Sequence, residues 1–577
     1  MKKLLYGAGI ITMVLLGSCS KQFLTQQPLG SASLSTLTNA AGVNQLLIGA
    51  YSLLDGEASQ SGYNFGSGAE NWVYGDVVGG NSYKGSTPSD QPDILTLETF
   101  TANAANGYPI QKWRANYEGI ARCNQTIVAC NAAGDLSASA KAEIIAECKF
   151  LRALYHFELV QLFKNIPYVD ETVTNFNTLT NTASVYPKII ADYQAAIAVL
   201  PTTQSDPGRP SLGAAEALLG KAYLYSGDYA SALAQFNKVI SSGLYKLVPN
   251  FYTNFNIDTK NNAEEIYQVQ YAVNVGASEP TGDGNYGDIL NFPNGPGAPE
   301  GCCGFNLPSQ NLVNAYQTDA NGLPFLDNSY VTKNFKNDAG ILSSSPFSPD
   351  TTTNVDPRLD WTVGRRGIPF LDWGIEPGQS WIRDPATCPP YVAKKMVYRQ
   401  SQASTDAATS GWDVGVSANN YSIIRYADVL LMAAECEAQV GSLANATNYV
   451  NQVRARAAAS PVYQIDASGK TTTKPAAHYV VGLYPSTFAS KAAALTAIFF
   501  ERRLELAMEG HFFFDLVRTG NAPSFFSSYF AHPYPAASPL AGASFTTGKS
   551  ELFAIPQTEI DLSTSNGKPS LTQNPGY

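Results

Sequence analysis

The sequence predicts a mostly α fold: tetratricopeptide-like helix pairs forming a scaffold, joined to a large irregular, loop-rich region with a few short strands. Three observations predict it. First, SLGAAEALLGKAYLYSGDYASALAQFNKVI, residues 211–240, places Leu219-Gly220, Tyr223, Gly227-Asp228-Tyr229, Ala232 and Phe236 as two short helices around a tight turn. Second, Tyr426 to Ala458 repeats the pattern in ADVLLMAAECEAQVGSLANATNYVNQVRARA. Such units cannot bury their apolar faces alone, so several must stack. Third, Gly, Pro, Asn and Asp become dense between about 246 and 420, and Trp361, Trp373, Trp381 and Trp412 all lie there. Long loops in a compact chain are usually functional or disordered, and the aromatics favour function.

The elements follow in order. Lys2 and Lys3 precede an apolar run from Leu4 to Leu16, the pattern of a secretory signal and too short for a membrane span of about 20 residues. Leu16-Gly17-Ser18-Cys19 then resembles a bacterial lipobox, which makes residues 1–18 the signal peptide and Cys19 the lipidated N-terminus. Acyl chains on Cys19 anchor a chain to a membrane without crossing it, at about 0.8 kcal/mol per buried CH₂. Residues 19–36 read as a tether. Helical patterns run from about 37 to 56, from Lys112 to Cys130, from Ala138 to Phe163 and from Val185 to Leu200. In the third, Cys148, Leu151, Tyr155, Leu159 and Leu162 share a helix face. EEIYQVQYAV (264–273) is strand-like.

Composition excludes some classes. The formal net charge is -10 over 577 residues, which argues against nucleic acid as a partner. With 32 Tyr, 27 Phe and 6 Trp but only 15 % charged residues, the chain suits an extracellular protein handling neutral ligands. Of the eight cysteines, seven remain after Cys19, so at least one stays unpaired in a monomer. No CxxC pair occurs, and nothing calls for a metal or cofactor.

Several motifs invite a catalytic reading. Gly282-Asp283-Gly284-Asn285-Tyr286-Gly287 fits GxGxxG, but DILNFPNGPG follows instead of the helix a dinucleotide site needs. Gly548-Lys549-Ser550 lacks the upstream glycine spacing of a P-loop. ERRLELAMEGHFFFDL (501–516) concentrates ionisable groups. The spacing of Phe500, Leu504, Ala507, His511 and Phe514 predicts one helix face, with Glu501, Glu505 and Glu509 as an adjacent stripe and Arg502 offsetting Glu505. A single histidine cannot form a zincin pair, and glutamates on one helix do not bracket a sugar. The stretch therefore reads as a structural helix that locks neighbours together.

These pieces together resemble the SusD/RagB family of outer-membrane lipoproteins from Bacteroidetes nutrient-uptake systems. KQFLTQQPLGS behind Cys19, NWVYGDVVGGNSYKG (71–85), AEIIAECKFLRALYHFELVQLFKNIPYV (142–169) and IRYADVLLMAAECEA (424–438) are similar to its motifs. NQVRARA (451–457), ERRLELAMEGHFFFDLVRTG (501–520), FAIPQTEIDLS (553–563) and QNPGY (573–577) continue the match. Gly79 and Gly80 depart from it, standing where acidic residues are common.

The resemblance implies about four helix pairs and a single domain over 37–577. Its scaffold lies mainly in 110–245 and 421–520, and its ligand-side loops mainly in 57–109 and 246–420. It also implies a non-enzymatic, surface-exposed outer-membrane lipoprotein that binds oligosaccharide or polysaccharide and delivers it to a SusC-like TonB-dependent transporter. Sugars are held by aromatic faces and by amide or carboxylate hydrogen bonds. The loop residues offering these are Trp72, Asn81, Tyr83, Tyr286, Trp373 and Trp381, while Trp361 reads as a structural anchor. Two other readings stand beside this one: peptide or protein uptake on the same architecture, and a surface glycoside hydrolase with paired carboxylates.

Overall fold

The computed structural model describes residues 34–56, 64–274, 283–299, 302–409, 414–534, 539–565 and 567–577. The signal peptide, Cys19, Gly282 and Trp412 lie outside the described residues. The scaffold begins with α1 (Ala40–Tyr51), α2 (Gly107–Ala132), α3 (Ala138–Phe163), α4 (Tyr186–Ile197), α5 (Leu212–Ser226) and α6 (Tyr229–Ser241). The loop-rich region follows, containing the short α7 (Gln310–Ala315). Next come α8 (Tyr426–Val440), α9 (Leu443–Ala458), α10 (Lys491–Leu506), α11 (Phe512–Arg518) and α12 (Ala522–Ala531). Side chains of Asn39, Asn106, Ser137, Ser211, Asp228, Ser442 and Ser490 cap their helices by accepting a first-turn N–H.

Each scaffold helix packs on its predecessor from α1 through α6, then α6 packs on α8 and α8 on both α9 and α10. The chain is thus mostly α with helix pairs in a continuous stack, as expected. The pairs close through small residues facing rings. A Cβ at Gly220 of α5 would sit 2.5 Å from the Phe236 ring of α6, and one at Gly119 of α2 would sit 2.6 Å from the Tyr155 ring of α3. Glycine at those positions is what allows the aromatic to fill the groove.

The loop-rich region is tied down by two antiparallel strand pairs. β1 (Ser82–Gly85) pairs with β3 (Phe305–Pro308), and β2 (Glu265–Val269) pairs with β4 (Tyr421–Arg425), which runs directly into α8. Trp361 acts as the anchor expected: its Nε1 donates to Ser460 O at 2.7 Å and its ring stacks on Tyr252. Cys123, Cys130, Cys148, Cys388 and Cys436 are buried free thiols, and Cys302 and Cys303 are adjacent in the chain.

The 501–516 stretch departs from the single helix that its spacing predicts. α10 ends at Leu506, Met508 and Gly510 take positive φ, and α11 starts at Phe512. Distant groups satisfy the freed backbone. Asp76 accepts the N–H of Met508 at 3.1 Å and of Gly510 at 2.7 Å. Lys395 donates to Glu505 O and Ala507 O, and the Tyr421 hydroxyl to Glu509 O. Tertiary partners override local periodicity here.

The glutamates meet cations from elsewhere. Glu505 pairs with Arg358, Arg425 and Arg456, Glu501 with Arg358 and Arg454, and Glu509 with Arg425 and Lys395. Glu264 joins through Arg425 and Arg456, and Asp356 through Arg358. Burial works against the Glu505 carboxylate, but Arg456, Arg425 and Arg358 hold it well below the usual range. Arg502 does not offset Glu505. It turns to Asp428 at 2.6 Å and Asp515 at 3.0 Å, because it lies on another side of α10. His511 is buried and pushed down to about 4 by desolvation, so it is neutral near pH 7.

Candidate binding site

Two clefts of about 570 and 590 Å³ lie along α1, α2 and their neighbours. The first is walled largely by apolar groups such as Trp113, Val169, Phe176 and Leu562. In the second, Arg209 is engaged by Glu147 and Asp206. A third cavity, of about 340 Å³, has a different character. Its walls include Tyr83, Tyr529 and Tyr534 with Gln310, Asn311, Asn314 and Asn334, and among the described residues no carboxylate lines it.

Three elements build it. β1 brings Tyr83, in register with Leu307 of β3. α7 follows β3 directly and brings Gln310, Asn311 and Asn314. Its N-cap Ser309 accepts from Leu312 N and ties back to the segment before β1 by donating to Gly80 O. α12 brings Tyr529, whose ring meets Tyr83 edge-on at 6.5 Å and stacks on Phe525 at 5.7 Å. Ala531 at its last turn, and His532, Pro533 and Tyr534 past its end, close the far wall. Tyr534 N donates to the Tyr83 hydroxyl at 3.4 Å.

A directional hydrogen-bond chain runs behind these walls. The Tyr534 hydroxyl donates to Asn337 Oδ1, Asn337 Nδ2 to Gln310 Oε1, Gln310 Nε2 to Asn314 Oδ1, and Asn314 Nδ2 to Asn334 Oδ1. Backbone N–H groups of Ala339 and Phe335 also donate to Asn337 Oδ1 and Asn314 Oδ1, which fixes the sense of the chain. Behind Asn311 lies Arg503, 4 % exposed. It donates to Asn311 Oδ1 at 2.8 Å, to Asn81 Oδ1 at 3.0 Å and to the Tyr330 hydroxyl at 3.1 Å, and it lies over the rings of Phe512 and Phe525.

The six residues singled out from sequence are dispersed. Tyr83 lines this cavity. Asn81 is buried beneath it, bridging Arg503 and Asp76. Trp72 is 2 % exposed, packs edge-on to Phe305 and donates to Gly287 O at 2.9 Å. Trp381 is 3 % exposed, packs on Phe370 and donates to Pro296 O at 3.2 Å. Trp373 and Tyr286 are half-buried, and the Trp373 indole donates to Tyr398 O at 2.9 Å. The structure therefore brings Asn81 and Tyr83 together and leaves the tryptophans in other clusters. Asn311, Asn334, Tyr529 and Tyr534 were not singled out. Their signals were the amide-rich QNLVNAYQ and KNFKN and the aromatic run FFSSYFAHPY.

Among the described residues, no group of three His, Cys, Asp or Glu side chains is placed to hold a metal ion. Nor is any helix among them long and apolar enough to cross a membrane.

Comparison with known proteins accords with this architecture. A family model described as "SusD family" matches residues 260–577, and one described as "Starch-binding associating with outer membrane" matches 28–224. SusD-like protein P25 of Formosa agariphila is 26 % identical over 555 residues, covering 89 % of each chain. SusD-like protein P2 of the same organism is 26 % identical, covering 83 % of each. Among solved structures, a laminarin binding SusD-like protein is 25 % identical with a TM-score of 0.65, covering 93 % of this chain and all of the other. Surface glycan-binding protein A from Bacteroides thetaiotaomicron, in complex with laminarihexaose, shares the fold at 20 % identity and a TM-score of 0.67, covering 93 % and 99 %. With the helical stack, the loop-rich insertion and these matches along nearly its whole length, the chain belongs to the SusD family.

Proposed function

We propose that this protein is a cell-surface glycan-binding lipoprotein of the outer membrane, anchored through Cys19, which captures oligosaccharide and delivers it to a SusC-like TonB-dependent transporter. The observation that carries the reading is the 340 Å³ cavity walled by three tyrosines and four side-chain amides. Tyrosine faces suit the C–H surfaces of sugar rings, and amides suit hydroxyl groups. The glycan ligands named for two relatives of the same fold, and the outer-membrane description of the matching family, support it. Binding proceeds without hydrolysis in this reading. A glycosidase needs two carboxyl groups across the scissile bond, whereas the glutamates of 501–509 are committed to buried ion pairs.

Two of the sequence-derived contacts change role. Trp72 and Trp381 serve as loop anchors, while Tyr83 remains a wall of the site. Isothermal calorimetry against a polysaccharide panel tests the proposal with Tyr534→Ala, which removes a half-buried ring from the cavity wall. Affinity for the bound glycan is expected to fall about tenfold or more, the effect of a truncated aromatic contact. Binding to peptides with none to any glycan would instead favour a peptide-uptake role.

A further inference from the structure

The cavity is unusual in the sense of its hydrogen bonds. Arg503 has only donors, so Asn311 must turn its oxygen toward it and its NH₂ away. Phe335 N fixes the Asn314 oxygen as an acceptor, so Asn314 donates to Asn334 Oδ1 and the NH₂ of Asn334 is left outward. Two amides from different segments thus offer N–H groups to one cavity, each oriented by a group that cannot reverse its role.

The electrostatics have the same sign. The partners of Arg503, namely Asn81, Tyr330, Asn311 and two phenyl rings, are all neutral. Asp338, whose charge bears on Tyr534, is paired with Arg366 at 3.6 Å. Glu98, whose charge bears on Tyr529, is pushed up to about 8 by burial and is mostly neutral at pH 7. Asp76, reached only through Asn81, is pushed up to about 7 by burial against its hydrogen bonds. His532 on the rim gives its Nδ1 hydrogen to Ser528 O and adds no carboxylate to the lining. The net charge of -10 does not cancel this, because exposed charges beyond about 8 Å are screened at physiological ionic strength.

A neutral sugar hydroxyl can accept from these N–H groups, but its own hydrogen finds no acceptor in them. A group with acceptors only and negative charge fits better. We infer that the cavity receives a saccharide carrying an anionic substituent, a uronate carboxylate or a sulfate ester, on the amide N–H groups of Asn311 and Asn334. This rests on the glycan-binding reading of the same cavity.

The test is calorimetry with two probe pairs: an oligogalacturonate with its carboxyl-reduced form, and a sulfated galactan oligosaccharide with its desulfated form. At least one acidic probe is expected to bind about tenfold tighter than its neutral partner, a difference of about 1.4 kcal/mol. That advantage should shrink as sodium chloride is added. The pair that shows it separates carboxylate from sulfate. Asn311→Asp and Asn334→Asp replace the inward amide by a carboxylate while keeping its shape, and each should abolish the advantage. Asn334 is exposed, so its variant keeps the fold. Equal binding of acidic and neutral partners in both pairs, or undiminished acidic binding by Asn334→Asp, overturns the inference. If those results come with Tyr534→Ala still weakening neutral glycan binding, the site stands and only its anionic preference falls.

Discussion

Glu505 shows at the residue scale what the 501–516 stretch is for. Its carboxylate is fully buried and closed in by Arg358, Arg425 and Arg456. Glutamine would fill the same volume and leave three guanidinium groups short of a counter-charge. Breaking a buried pair in this way costs about 3–5 kcal/mol. Glu505→Gln is therefore expected to lower stability by that amount in urea titrations, while the folded fraction keeps its glycan affinity. The four-residue spacing of Glu501, Glu505 and Glu509 was visible in the sequence, and so was the lack of a catalytic partner. Their actual partners were not, because they come from positions 358, 395, 425, 454 and 456 and no local pattern links these. The same limit explains Arg502, which was placed against Glu505 by spacing alone. It also explains Asn81, a polar loop residue in sequence and a buried support for Arg503 in space.

At the scale of elements, the helix pairs were the most legible part. Gly220 and Phe236 announce their contact through a repeat pattern, and α5 and α6 meet there. Gly220→Ala places a methyl 2.5 Å from the Phe236 ring, inside contact distance. Overpacking of this kind costs about 1–3 kcal/mol. We expect a matching drop in the unfolding midpoint, partly restored when Phe236→Leu is added. The helix break at Ala507–His511 was illegible, since Phe500, Leu504, Ala507, His511 and Phe514 fit a helix face throughout. What ends α10 is a set of outside groups, Asp76, Lys395 and Tyr421, that take over its backbone hydrogen bonds. Indole donors act in a similar way in the loops: Trp72, Trp373 and Trp381 each donate to a carbonyl of another segment. An aromatic-rich loop sequence shows that rings are present but not whether they face ligand or hold the loop in place.

For the whole molecule, the scaffold and the loop-rich region share one charged core. Cations from the loop-rich region, Arg358 and Lys395, and from the scaffold, Arg425, Arg454 and Arg456, converge on glutamates near the end of α10. The lipid anchor proposed at Cys19, by contrast, would belong to the N-terminus alone. Cys19→Ala is therefore expected to move the protein from the membrane to the soluble fraction of fractionated cells, with calorimetric glycan affinity unchanged. Retention in the membrane fraction would count against lipidation at that residue.

The shared core also bears on how such a chain can diversify. Cutting between scaffold and loops would strand ions on both sides, so neither half can be borrowed as an independent receptor. The rim is different. Thr332, Asn334, Ala531, His532 and Pro533 are exposed and stand clear of the ion pairs. New specificities can arise there by single substitutions without retuning the charged interior.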